Sequence, residues 1–418
     1  MLSVPIIITF IIAIVTSWIT KSWRSPGSFF AFCWAFFLIT PFIFAPEYEM
    51  DQLGVWFIAI FTMSLAAGSI LAYSPFHDNY IISPKHHFNF KKLYFILFIL
   101  CVISFIGIYF LFQFASNIYG SENYKISWLA IPNLIAVDRY NEVLNYPYLI
   151  KYSLYIIYPA NLLAGLLFAK KDTPKKYKIL LIVPLIASLI LGIIEGARTS
   201  ILLGLIMFFS SWLSAMVSSK TPIPLNKVLI KISVGTITFF GFFITSFIFI
   251  QWLRQGMDTI IIDLLFDRIR AYFFGYLAAF TQWFNSSVEL NFSAGFITFA
   301  GPYNLIGIID RPLGFYDSIQ ITKGVTTNIF TVFRGIITDF SMSGSLIIAF
   351  IFGFILQSIF QRKNTTSLKG TLPISMFYAF TLYSPLISIF HYNSILFSWF
   401  ILLIFLELTK YEPLDNYC

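Results

Sequence analysis

Nine of the 27 cationic residues are arginine, and seven of those nine sit apart from the lysine-bearing loops. They are Arg139, Arg198, Arg254, Arg268, Arg270, Arg311 and Arg334. A guanidinium offers a planar fork that binds phosphate or carboxylate through two parallel hydrogen bonds, and its charge is permanent. A pyrophosphate group at a membrane surface is a ligand of that kind. The plainer use of these arginines is pairing with acids on the same side, such as Asp263, Asp267 and Glu289.

Several short segments give the arginines their local settings. Glu195-Gly-Ala-Arg198-Thr-Ser joins two apolar runs with almost no loop. Arg198 then begins a helix, where free N–H groups and the positive helix end favour an anion. The alternative is an ion pair between Glu195 and Arg198. Thr327, Thr331, Arg334, Thr338, Ser341 and Ser345 recur at steps of four, three, four, three and four, a single polar stripe if the segment is one helix. A stripe of this kind entering a membrane faces protein or water, and its hydroxyls equally suit helix–helix hydrogen bonding. Asp339 beside the stripe is placed to cap the helix, pair with Arg334 or act as a base. Asp263-Leu-Leu-Phe-Asp267-Arg268-Ile-Arg270 reads as helix, with Asp267 and Arg270 on one face.

Other groups carry weaker signals. His391 stands alone between the last two apolar runs, as a general base or an interfacial hydrogen-bonder. Glu47, Glu49 and Asp51 make an acidic loop suited to a divalent ion or, more simply, to water. His86 and His87 lie in a lysine-bearing loop. No phosphate-binding loop, nucleophile elbow or zinc spacing occurs, and neither metal nor cofactor is expected.

The elements that must position these residues are membrane helices. The chain is 58% hydrophobic and 11% charged, with 50 Phe and 23 Tyr, and its mean hydropathy is +0.81. A soluble domain carries about 25% charged residues. The net charge of +8 could point to nucleic acid, but the cations sit in short clusters between apolar runs of spanning length, the pattern of membrane orientation. Three cysteines make no disulfide framework. Met1 to Pro5 lacks the basic start of a cleavable signal, so the first run is expected to remain as a span.

Eleven runs are candidate spans: 4–20, 29–46, 54–73, 93–115, 148–169, 179–195, 198–217, 232–250, 339–360, 372–390 and 394–410. They are too long and uniformly apolar for barrel strands. The expected fold is one all-α polytopic membrane domain over residues 1–418, with a long loop at 251–338 holding interfacial or re-entrant helices at 271–284 and 292–309. Loops bearing Lys21 and Arg24, Lys85 to Lys92, Lys170 to Lys178, Lys220 to Lys231, Arg362 to Lys369, and Lys410 alternate with the rest, and the positive-inside rule makes them cytoplasmic. That rule treats Lys and Arg alike, so it does not account for arginine gathering on the outer side with Lys125, Lys151 and Lys323 alone among the lysines.

The chain resembles the bacterial O-antigen, or oligosaccharide repeat-unit, polymerases. The resemblance rests on Gly196-Ala-Arg198-Thr-Ser, on Arg270-Ala-Tyr-Phe-Phe-Gly-Tyr-Leu-Ala-Ala-Phe280, and on Thr327-Asn-Ile-Phe-Thr-Val-Phe-Arg334 followed by Asp339-Phe-Ser-Met-Ser-Gly344. It covers roughly residues 180–360. The family usually reads Asp-Phe-Gly where this chain has Asp339-Phe340-Ser341, which leaves the turn after Asp339 without its glycine. The resemblance implies a metal-independent glycosyltransferase of the bacterial inner membrane, with a fold similar to the C-type lipid-dependent glycosyltransferases. It would join repeat units carried on undecaprenyl diphosphate at the periplasmic face, with the lipid-linked donor and acceptor, and a chain-length regulator, as partners. Arg198, Arg254, Arg270, Arg334 and Asn328 are then candidate substrate-binding residues, and Asp339, Glu195 and His391 candidate catalytic ones. The alternatives are a lipid-linked oligosaccharide flippase or transporter, and an O-antigen ligase.

Overall fold

The computed structural model describes residues 3–74, 87–120, 130–141, 143–170, 173–218, 241, 244–254, 262–286, 292–310, 316–361 and 369–411. Helix dominates them. The helices are α1 (Ser3–Ile19), α2 (Pro26–Phe44), α3 (Gln52–Ala72), α4 (Phe90–Tyr119), α5 (Ile131–Tyr140), α6 (Tyr148–Tyr155), α7 (Ile157–Phe168), the single turn α8 (Lys175–Lys178), α9 (Val183–Ile194) and α10 (Arg198–Ser218). Residues 244–254 form α11. Then follow α12 (Ile262–Ser286), α13 (Ala300–Leu305), α14 (Val332–Gln361), α15 (Leu372–Tyr383) and α16 (Asn393–Thr409).

Six helical stretches among the described residues are long and apolar enough to cross a membrane: α2, α3, α4, the run Tyr148–Phe168 made by α6 and α7, α10, and α14. Apolar sequence in lipid becomes helix because every backbone polar group must be satisfied within the segment. Four shorter apolar helices, α1, α9, α15 and α16, fall on four more of the expected runs. Run 232–250 lies mostly outside the described residues, as do Arg311, Arg362, Glu289, Lys85, His86 and Lys125 and the side chain of Asp263. α15 stops at Tyr383, short of the expected 390, because Pro385 cannot continue a helix. This is an all-α polytopic membrane protein, with two small exceptions among the described residues that the sequence pattern does not announce. β1 (His87–Phe88) pairs antiparallel with β4 (Lys410–Tyr411). β2 (Ile319–Thr322) pairs with β3 (Val325–Thr327) around Gly324, whose φ of 80° suits a tight hairpin.

The chain divides into two compact units, one comprising Met1–Phe90, Phe209–Ser218 and Arg270–Cys418, the other Lys91–Phe208 and Ser219–Ile269. The first is built on α3 and α14, which run parallel. Ser64 donates to the Leu346 carbonyl and Ser69 to the Gly353 carbonyl, while Ser74 N–H donates to Gln361. The two backbones touch: a Cβ on Gly68 would strike the Phe350 carbonyl, and one on Gly353 the Leu65 carbonyl. Small residues permit this approach in membranes, where packing replaces the hydrophobic drive. Around the seam lies an aromatic core that includes Phe30, Trp34, Phe61, Phe280, Phe333 and Phe377.

Following the helices through this unit separates two ends. The α1–α2 turn with Lys21 and Arg24, the ends of α3 and α14, Lys369 and Lys410 share one end. The α2–α3 loop, Arg270, the β2–β3 hairpin, the start of α14 and His391 share the other; there Val332 N–H donates to the Ser384 carbonyl after α15. The second unit shows the same separation by itself. Tyr94 stacks on Tyr177 at 4.2 Å near Lys92 and Lys178, and Tyr119 donates to Asp138 at the opposite end of α4, beside Arg139. We call these the lysine end and the arginine end of each unit.

α14 is not one straight helix. Ser341 has φ 65° and ψ 173° inside it. That region is essentially reserved for glycine and costs about 1–3 kcal/mol for other residues. The turn after Asp339 therefore forms with a serine in the glycine position.

Candidate functional site

The arginine end of the first unit assembles around the α2–α3 loop. Arg270 on α12 pairs with Glu47 and donates to the Phe44 carbonyl at 2.9 Å, with its guanidinium over the Tyr48 ring. Its partner is Glu47 rather than the expected Asp267. Asp51 accepts from Leu53 N–H and so caps α3, and it also accepts from Asn285. Glu49 N–H donates to the Ile321 carbonyl, and Gln282 donates to the Glu49 carbonyl. The acidic loop is thus tied to α12 and β2. Among the described residues no three His, Cys, Asp or Glu side chains gather as a metal set.

Arg334 occupies a different setting. Its guanidinium carbon lies 4.0 Å from the Tyr316 ring centre, 4.1 Å from Phe330 and 5.3 Å from Trp283. Tyr316 and Phe330 meet edge to face at 5.2 Å. Burial pushes the Tyr316 hydroxyl well above its ordinary pKa, so the phenol stays neutral. No carboxylate among the described residues is within ion-pair distance of Arg334, and the side chain is half-buried. Ring faces attract a cation but do not neutralise it. A held, partly exposed guanidinium with no acid in ion-pair contact among the described residues is suited to an anionic ligand.

Asp339 does not pair with Arg334. It is fully buried. One oxygen accepts from Ser293 Oγ at 2.5 Å and Ile297 N–H at 3.1 Å, and the other from Thr298 N–H at 2.6 Å. A carboxylate so engaged is a poor base, because a proton would displace these donors and reach it only through protein. Its role is to hold the 293–298 turn against the head of α14. The expected polar stripe is also broken. Thr327 lies in β3, Thr331 precedes α14, and the bend at Ser341 turns the stem away.

His391 sits buried in a 3-10 turn beside α13, where its carbonyl would crowd any side chain at Gly301. Asn328 is exposed between β3 and α14. Trp283, Tyr316 and Ser293 carry no motif, and sequence reasoning missed their part in the site; Phe330 lies within the Thr327–Arg334 segment but was not singled out.

The second unit holds the remaining candidates. α9 ends at Glu195, Gly196 takes φ 58°, and Arg198 opens α10, as the tight turn requires. Glu195 pairs with Arg139 at 3.0 Å rather than with Arg198, and Ser200 Oγ donates to it at 3.1 Å. The Glu195 charge pushes the Arg139 pKa up, against the opposing effect of burial. Burial and the same Glu195 charge push the Tyr146 hydroxyl well above its usual range. Arg198 lies over the Phe247 ring at 5.4 Å, and Arg254 is exposed at the end of α11.

Compared with known proteins, the chain matches no family model, no curated protein and no solved structure.

Proposed function

We propose that this protein is a metal-independent glycosyltransferase that polymerises undecaprenyl-diphosphate-linked oligosaccharide repeat units into O-antigen or a related surface polysaccharide. On this reading it works at the periplasmic face of the bacterial inner membrane, which is the arginine end. The apolar runs complete a bundle of about eleven spans similar to the C-type lipid-dependent glycosyltransferases.

The observation that carries the reading is Arg334, held by three aromatic rings with no acid in ion-pair contact among the described residues. Transfer from a lipid diphosphate leaves negative charge on the departing diphosphate. A fixed donor in a sheltered site stabilises that charge by about 3–4 kcal/mol. The resemblance over residues 180–360 supplies the substrate class.

The test is the length profile of surface glycan in a strain lacking the gene. A polymerase loss leaves chains of a single repeat, whereas a flippase or ligase loss leaves none. The wild-type gene should restore the long-chain ladder, and an Arg334→Ala gene should not.

A further inference from the structure

We propose that the second unit carries a site for an anionic phospholipid of the surrounding membrane, its phosphate held by lysines at the lysine end and one acyl chain lying in an apolar groove on α4. The groove lies between α4 and the start of α9. Phe98, Cys101, Phe105 and Tyr109 line one side, Leu180 and Val183 the other, and it encloses about 470 Å³. Its lining holds no charged residue among those described. Cys101 is buried at the floor, while Phe98 and Tyr109 are exposed at the rim.

Both walls lead to lysines. Lys91 lies two turns before Phe98, about 10 Å away along the same face of α4. Lys178 lies just before Leu180 on the other wall, and both lysines are exposed. The Tyr94 and Tyr177 rings join the two walls, stacked at 4.2 Å and parallel within 2°. The Tyr94 hydroxyl meets Thr173 Oγ1 at 3.2 Å, and Thr173 Oγ1 donates to the Lys170 carbonyl at 3.0 Å, which draws Lys170 to the same place. Stretches 91–94 and 170–178 hold seven lysines against one acid, Asp172. The positive-inside rule asks for lysines in these loops. It asks neither for their convergence nor for a groove beneath them.

Length and charge together select the occupant. From Phe98 to Tyr109 the groove follows α4 for eleven residues, about 16 Å. That is one leaflet of a hydrocarbon core about 30 Å thick, the depth that a single acyl chain fills. Lysine stems run along apolar surface and place their ammonium groups among the headgroups, and lysines at the end of a span attract anionic lipid. The site lies wholly within the second unit and holds whether or not the protein transfers sugar.

The experiment titrates the purified full-length protein, stripped of lipid in detergent, with phosphatidylglycerol and with phosphatidylcholine, and counts bound lipids by native mass spectrometry. The wild type should prefer phosphatidylglycerol about 25-fold, about 5-fold for each of Lys91 and Lys178. Lys91→Gln combined with Lys178→Gln should bring phosphatidylglycerol down to the phosphatidylcholine level. Val102 and Ile106 line the groove, so Val102→Trp, or Ile106→Trp if the first variant does not fold, should weaken both lipids without altering charge. Equal affinity of the wild type for the two lipids overturns the proposal, because the lysines then serve orientation alone. Undiminished phosphatidylglycerol binding by the folded tryptophan variant overturns it too, because the groove is then not the seat. Undecaprenyl phosphate that binds more tightly than phosphatidylglycerol, and is lost with the tryptophan variant, makes the polyprenyl carrier the occupant and overturns it likewise.

Discussion

Arg139 in the second unit and Arg334 in the first are the same ion in opposite circumstances. Arg139 faces a buried carboxylate at 3.0 Å, whereas Arg334 faces three aromatic rings. The acids mirror this. Glu195 is answered by a full positive charge, Asp339 by two amides and a hydroxyl. The first arrangement spends the guanidinium on stability. The second leaves the guanidinium charged and uses neutral donors for the acid. An arginine at the arginine end of a unit is therefore not enough to suggest binding; what answers its charge decides.

Four substitutions would break or sharpen this contrast. The largest effect is expected from Arg139→Ala, which leaves the buried Glu195 charge without its partner and should cost about 4 kcal/mol of stability. Thermal unfolding in detergent would show it, and adding Glu195→Gln should restore most of the loss. If Arg139→Ala melts like the wild type, the pair is not structural.

Arg334→Lys keeps the charge and removes the flat fork. Glycan extension should fall about 100-fold, equivalent to about 3 kcal/mol, with little change in melting. Full extension would mean that charge alone suffices. Asp339→Ala frees the Ile297 and Thr298 amides and should destabilise the protein by about 2 kcal/mol. Faster proteolysis of the 293–298 turn would accompany it. Ser341→Gly relieves the positive φ but gives up the hydrogen bond that Ser341 Oγ accepts from Gly344 N–H, for a net gain near 1 kcal/mol. A loss of stability there would mean that the serine hydroxyl outweighs the backbone strain.

Much of the frame was legible in the sequence. Long apolar runs become helices because lipid leaves the backbone no alternative, and the lysine–arginine separation reappears at the ends of each unit. The Gly196 turn was legible because one glycine between two apolar runs leaves little room for anything else. The β2–β3 hairpin was not: strands of four and three residues are too short to show a period. The site itself depends on distant meetings. Ser293 and Asp339 are 46 residues apart, and the rings around Arg334 come from α12, the stretch before β2 and the stretch before α14. Spacing reveals neighbours on one helix, so it suggested Asp339 for Arg334 and Glu195 for Arg198. Tertiary packing gave each acid other partners.

The glycine seam between α3 and α14 has a mechanical consequence. With the backbones in contact at Gly68 and Gly353, the two helices cannot slide past one another without lifting a carbonyl over a Cα. Below Ser341 they behave as a single stiff strut. Motion at the arginine end of this unit is then confined to parts that the strut does not grip: the head of α14, the 293–298 turn and the hairpin. Force applied at the lysine end would reach Arg334 as a rigid tilt of the strut rather than as a change in length.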